Sequence, residues 1–121
     1  MYVVEATAPN ARNIMFYGHL DKQPYEDEPW DEGLSPIEPV IKDGCLYGRG
    51  SYDDGYASFT ALLAIKAAQV QGVQLPRIVI CIETEEESGS PNLIPLLSAA
   101  ADVIKTPDVC FPLDSGCLDY E

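Results

Sequence analysis

The chain has 121 residues, which suits one domain or part of one, and its 46% apolar content is ordinary for a globular protein. Its 20 acidic residues stand against 7 basic ones, a net charge of -13. That balance excludes nucleic acid and anionic membrane surfaces as natural partners, because no Lys/Arg patch is present to neutralise phosphates.

In chain order, Asn13 to Tyr17 reads as a strand ending at Gly18-His19. A loop with Pro24, Pro29, Trp30, Pro36 and Pro39 follows, too long for a simple connector and therefore read as functional. Its Glu26, Asp27, Glu28, Asp31 and Glu32 read as a solvated surface. Pro39 to Tyr47 reads as a hairpin, with Asp43-Gly44 as the tight-turn pair between two apolar arms. After Gly48-Arg49-Gly50 bends the chain, Ala57 to Gln71 reads as a helix with Phe59, Leu62, Ile65 and Ala68 at helical spacing and Gly72 as its cap. Arg77 to Ile82 is a continuous apolar run, the pattern of a strand buried on both faces. Asn92 to Ala101 is a second helix, with Pro95 tolerated only in its first turn, and Asp108 to Pro112 a third strand.

This order predicts an α/β layered sandwich with a central, mostly parallel sheet flanked by helices. No repeat, linker or domain boundary interrupts residues 1–121. Four cysteines, Cys45, Cys81, Cys110 and Cys117, form no C-x-x-C pair. Cys81 and Cys110 lie in apolar runs, where a thiol packs as a small hydrophobe, so the pattern predicts free thiols in a reducing, cytoplasmic compartment. Met1-Tyr2-Val3-Val4-Glu5 lacks the basic start and apolar run of a signal peptide, and no stretch reaches transmembrane length.

Acidic residues bunch where the strands end. Carboxylates crowded at such a place repel one another unless cations sit between them. The first segment is Gly18-His19-Leu20-Asp21. In an extended segment residues i and i+2 lie on the same side, so the Asp21 carboxylate is expected to accept the imidazole's second N–H and orient the ring toward a metal. A lone histidine is also commonly an ordinary core or surface residue. The second segment is Gly48 to Gly55, where Asp53 precedes the helix; it reads as an N-cap or as a ligand, and the adjacent Asp54 is more than a cap needs. The third runs from Glu83 to Ser90, and in it Glu85-Glu86-Glu87 forms either an exposed acidic loop or a division of labour. In the latter, one carboxylate binds metal and its neighbour is general base on metal-bound water. Asp114 follows the last strand, as a turn former or as a further ligand.

Taken together and in this order, Gly18-His19-Leu20-Asp21-Lys22-Gln23-Pro24, Gly48-Arg49-Gly50-Ser51-Tyr52-Asp53-Asp54-Gly55 and Glu85-Glu86-Glu87-Ser88-Gly89-Ser90 resemble segments of the M20 metallopeptidases. These are dizinc amidohydrolases that include carboxypeptidases, aminoacylases and cytosolic dipeptidases, with the patterns GHxDxxP, GRGxxDD(K)G and (D/E)EExGS. The resemblance implies that His19 and Asp114 bind one Zn2+, Asp53 bridges two, and Glu87 binds the second. It further implies that Asp21 holds His19, that Glu86 is general base and then acid, and that the Asp53–Asp54 peptide is cis. Co2+ or Mn2+ would also suit such ligands. The implied reaction is attack of water on the amide carbon of a peptide or N-acyl amino acid, and the implied full-length form is compatible with a homodimer.

The chain departs from that pattern in four ways. The family completes its second metal with a downstream histidine, and His19 is the single histidine here. It also carries a lid or dimerisation domain after the segment around Asp114, and a helix and strands before the first motif. Residues 1–121 are therefore expected to be part of a catalytic domain, with little or no activity alone. Gly55-Tyr56 stands where many members have Lys-Gly. The alternative is a non-catalytic remnant that serves as a binding or assembly module through exposed sheet edges. A Ca2+-binding role fits the oxygen-rich ligands less well, because no D-x-D-x-D-G loop is present and imidazole is a poor Ca2+ ligand.

Overall fold

The computed structural model describes residues 1–25 and 29–114; Glu26, Asp27, Glu28 and Cys117 lie outside them. The strands are β1 (Tyr2–Val4), β2 (Asn13–His19), β3 (Val40–Lys42), β4 (Cys45–Tyr47), β5 (Arg77–Glu83) and β6 (Val109–Pro112). The helices are α1 (Tyr56–Val70), α2 (Leu93–Ala99) and α3 (Ala101–Ile104). A single 3₁₀ turn covers Glu86–Ser88.

Four strands form one sheet in the order β1-β5-β2-β6, and β3 pairs with β4 alone. β2 runs parallel to both β5 and β6, with His19 beside Glu83 and Tyr17 beside Pro112. β1 is the antiparallel edge, with Tyr2 opposite Ile80. The expected parallel sheet is therefore present, extended by a strand that three residues were too few to announce. The parallel register has one consequence for function: β2, β5 and β6 all end at the same edge, where parallel α/β sheets carry their sites.

Successive β5 side chains point to opposite faces. Ile78 and Ile80 pack with Ala61 and Ile65 of α1 and with Leu75. Val79 and Cys81 pack with Met15 and Ile104, with Leu97 and Ala100 alongside. α1 thus covers one face and α2–α3 the other, which is the layered sandwich. Val79 and Ile80 are 0% and 1% exposed, and each fully buried side chain of this kind contributes about 1.5–3 kcal/mol.

Three details differ from the expected pattern. α1 buries Ala57, Ala61 and Ile65, while Phe59 and Leu62 are exposed. The helix is apolar around most of its circumference, so spacing alone did not choose a face; small residues face the sheet because the helix lies close against it. Cys110 is exposed rather than packed, because β6 is the sheet edge among the described residues. The second helix breaks at Ala100 and resumes as α3. Pro95 is the third residue of α2, within the first turn whose N–H groups lack helical partners anyway.

The ends of the elements follow their sequences. Gly72 takes φ +70, its N–H donates to the Gln69 carbonyl at 3.1 Å, and the Val73 N–H donates to the Ala68 carbonyl at 2.9 Å. That double closure is the glycine-dependent Schellman ending of α1. Asp43 and Gly44, at φ +53 and +81, form the primed hairpin turn between β3 and β4. At the far end of β5, the buried Arg77 guanidinium donates to the carbonyls of Val103 and Ile104 and to Asn13 Oδ1. It thereby satisfies the last carbonyls of α3. Asp31 and Glu32 are exposed, as a solvated loop requires. The thiols of Cys45, Cys81 and Cys110 are free. Among the described residues no helix is long and apolar enough to cross a membrane.

Candidate metal centre

The site is built around His19. It closes β2, is 1% exposed, and its backbone N–H donates to Asp54 Oδ2 at 3.0 Å. Its Nδ1 lies 3.1 Å from the Asp21 carbonyl oxygen. A proton on Nδ1 donated to that carbonyl leaves Nε2 with a free lone pair. Nε2 is buried, has no hydrogen-bond partner, and faces carboxylates: Asp53 Oδ1 at 3.1 Å, Asp114 Oδ2 at 3.8 Å and Glu86 Oε2 at 3.9 Å.

The Asp53 segment reaches this point through a tight turn and a close approach. The Gly55 N–H donates to the Gly50 carbonyl at 3.0 Å, and a Cβ on Gly55 would lie 2.2 Å from that oxygen. The start of α1 then rests on β2: a Cβ on Gly18 would lie 2.6 Å from both Ala57 Cβ and Asp54 Oδ2. The Asp53–Asp54 peptide is cis. Asp53 does not cap α1, whose N-cap is Gly55 without a side-chain hydrogen bond.

Asp21 acts differently from the expected clamp. The imidazole bonds its carbonyl, while its carboxylate Oδ1 lies 3.5 Å from Nδ1. The carboxylate accepts the Glu86 N–H at 3.2 Å and the Glu87 N–H at 2.9 Å. The strand ends at His19, so residue 21 is outside the extended backbone on which the i, i+2 expectation rested. One aspartate therefore touches both the imidazole strand and the glutamate turn. Gln23 donates to Glu87 Oε2, and Glu87 Oε1 is buried without a hydrogen-bond partner. Leu113 N–H pairs with the Tyr17 carbonyl at 2.9 Å, and the Tyr56 hydroxyl bonds the Leu113 carbonyl, which together bring Asp114 to the site.

All the predicted site residues thus meet at one place. Among the described residues, two groups have ligand atoms within 4.8 Å of one another: His19, Asp53 and Glu87, and His19, Glu86 and Asp114. The electrostatics match this crowding. Burial, then the charge of Asp114, raises the Glu86 carboxyl above its ordinary range, with Glu87 and Asp21 adding and His19 opposing. Burial acts to lower His19, but the bond to the Asp21 carbonyl and the charges of Asp114, Asp53 and Asp54 outweigh it and raise the group. Burial also acts to raise Asp21, where the N–H groups of Glu87, Asp21 itself and Glu86 prevail and lower it.

An orphaned buried imidazole nitrogen and an orphaned carboxylate oxygen, ringed by further carboxylates, are a donor set that fits a divalent cation of the Zn2+ class. Sequence reasoning assigned no role to Asp54, which is 1% exposed, holds the His19 backbone, and is raised mainly by burial. The available signal was its redundancy beside Asp53. Glu83, bonded by the Tyr17 and Ser90 hydroxyls, was placed in the acidic segment but likewise given no role. Burial, then the bond to Glu83, pushes the Tyr17 hydroxyl well above its usual range.

The sequence model of peptidase family M20/M25/M40 matches residues 15–113. The chain is 36% identical over 95 residues to a Cys-Gly metallodipeptidase of Candida albicans, covering 77% of this chain and 20% of that protein. It is 39% identical over 87 residues to succinyl-diaminopimelate desuccinylase 2 of a Ruegeria species, covering 69% of this chain and 21% of that protein. The crystal structure of human carnosine dipeptidase 1 superposes with a TM-score of 0.75 at 29% identity, over 96% of this chain and 25% of the other. The chain therefore spans about a fifth to a quarter of the length of these relatives.

Proposed function

This chain belongs to peptidase family M20/M25/M40, and on that premise we propose that it carries most of the metal centre of a hydrolase of peptide or N-acyl amide bonds. The observation that carries the proposal is the buried, unpartnered Nε2 of His19 facing the carboxylates of Asp53, Glu86 and Asp114. Relatives named as a dipeptidase and a desuccinylase support that substrate range.

His19, Asp53, Glu87 and Asp114 would hold two zinc ions; Co2+ or Mn2+ suits the same ligands. When bound, such a pair acidifies water and stabilises the oxyanion that forms at the amide carbon. The chain's own residues do the rest. Glu86, raised by burial and its acidic neighbours, takes a proton from the attacking water and returns it to the leaving amide nitrogen. Asp21 fixes Glu86 and Glu87 by their backbone N–H groups and steadies the imidazole through its carbonyl. Asp54 anchors the His19 backbone. The free thiols of Cys45, Cys81 and Cys110 support a reducing, cytoplasmic setting.

The alternative is a non-catalytic binding module, for within residues 1–121 the second ion would have only the carboxylates of Asp53 and Glu87. Glu86→Gln separates the readings. In the hydrolase reading it leaves zinc binding within about twofold and lowers turnover of dipeptide or N-acyl substrates by about 100-fold or more. Equal and measurable turnover in a full-length protein carrying these residues and in its Glu86→Gln variant would refute the assignment of Glu86 as base.

A further inference from the structure

Glu83 belongs to the acidic segment but stands outside both metal-ligand groups. It is the last residue of β5, and its Oε1 accepts two hydrogen bonds, one from the Tyr17 hydroxyl and one at 2.9 Å from the Ser90 hydroxyl. Tyr17 precedes His19 by two residues on β2. Ser90 closes the turn that carries Glu85, Glu86 and Glu87, for its N–H donates to the Glu85 carbonyl at 2.8 Å. The Leu20 N–H, just beyond His19, donates to the Glu83 carbonyl at 2.9 Å. One residue therefore ties the strand bearing the imidazole to the start and the end of the turn bearing the glutamates.

We propose that Glu83 is a positioning residue, which fixes the Glu86–Glu87 turn against His19 through its bonds to Tyr17 and Ser90. A carboxylate accepts hydrogen bonds more strongly than a neutral oxygen, and more so away from bulk water. Two donors on one oxygen define a point rather than a line, so they set the distance between the two segments as well as their contact. Without Glu83 the turn keeps its own backbone bonds, and the Asp21 carboxylate still holds its first half. Its closing residue, Ser90, would lose its side-chain anchor to the sheet. The consequence for metal binding rests on the metal-centre reading above; the consequence for the turn does not.

The experiment compares Glu83→Ala and Glu83→Gln in the 121-residue chain. Tyr17→Phe and Ser90→Ala each remove one donor and carry the same comparison should Glu83→Ala fail to fold. Two readouts are taken. In the metal-free chain, amide hydrogen exchange at Glu86, Glu87 and Ser90 is expected to accelerate about tenfold in Glu83→Ala, with Ile78 to Ile80 unchanged and Glu83→Gln largely restored. In a Co2+ titration, Glu83→Ala is expected to weaken the Kd by about 10- to 100-fold and to alter the visible absorption of the bound ion. Unchanged exchange in the turn overturns the inference, and so does a uniform acceleration that includes Ile78 to Ile80. A local exchange effect with Kd and spectrum both unchanged overturns it as well. A local exchange effect in a chain whose wild type binds no Co2+ sustains the brace and sinks the metal reading instead.

Discussion

Gly18→Ala tests the close approach that builds the site. The new Cβ would lie 2.6 Å from Ala57 Cβ and 2.6 Å from Asp54 Oδ2, distances that real Cβ contacts do not reach. Either α1 lifts from β2 or Asp54 gives up its 3.0 Å bond to the His19 N–H. Overpacking of this kind costs about 1–3 kcal/mol, and a lost hydrogen bond to a charged acceptor adds about 1.5 kcal/mol or more. A total of roughly 3 kcal/mol corresponds to a fall in Tm of about 12 °C for a chain of this length. The assay is urea and thermal unfolding followed by far-UV circular dichroism. Ala57→Gly supplies the internal control. Alone it costs about 1 kcal/mol in helix propensity, whereas in the Gly18→Ala background it removes one of the two clashes and costs less or restores stability. A Gly18→Ala chain within about 0.5 kcal/mol of wild type, the range of neutral surface changes, would refute the packing argument.

Three further outcomes follow from single residues. Asp21→Ala strands the Glu86 and Glu87 N–H groups and is expected to weaken zinc binding by about 10- to 100-fold, measured by competition with a chromogenic chelator. Because the native Asp21 carboxyl is held below its ordinary value, its contribution to stability is full above about pH 4 and is lost as pH falls through the lowered native value; Asp21→Asn should flatten that acid limb. Gly72→Ala forces a side chain into φ +70 where no neighbouring atom obstructs it, so its cost is conformational, about 1–2 kcal/mol in urea unfolding, with Gly72→Asn milder.

Much of the architecture was legible because single segments carried it. The apolar run of β5, the Asp43-Gly44 turn and the Gly72 ending of α1 each have a local physical cause that no tertiary contact has to supply. The three acidic segments were legible for the same reason, and parallel pairing then delivered them to one sheet edge. What local pattern did not carry was direction. α1 offers apolar residues on several faces, and its seat against Gly18 and the β5 side chains selects Ala57 and Ala61 over Phe59 and Leu62. Asp21 was expected to hold the imidazole with its carboxylate, but the backbone turns after His19, so the carbonyl takes the 3.1 Å bond to Nδ1 while the carboxylate stands at 3.5 Å. The roles of Asp54 and Glu83 became visible only when the hydrogen bonds between strands, turn and helix were in place. β1, at three residues, was too short to show a period.

The most direct measurement of the central claim is zinc per chain by elemental mass spectrometry, after zinc loading and gel filtration, with Asp53→Ala as the paired control. Asp53 is chosen because its Oδ1 lies 3.1 Å from His19 Nε2 and its side chain is partly exposed, so its removal need not disturb the fold. The account predicts at least one zinc retained per wild-type chain and none in Asp53→Ala. No zinc in the wild type, or the same zinc in both, would contradict it.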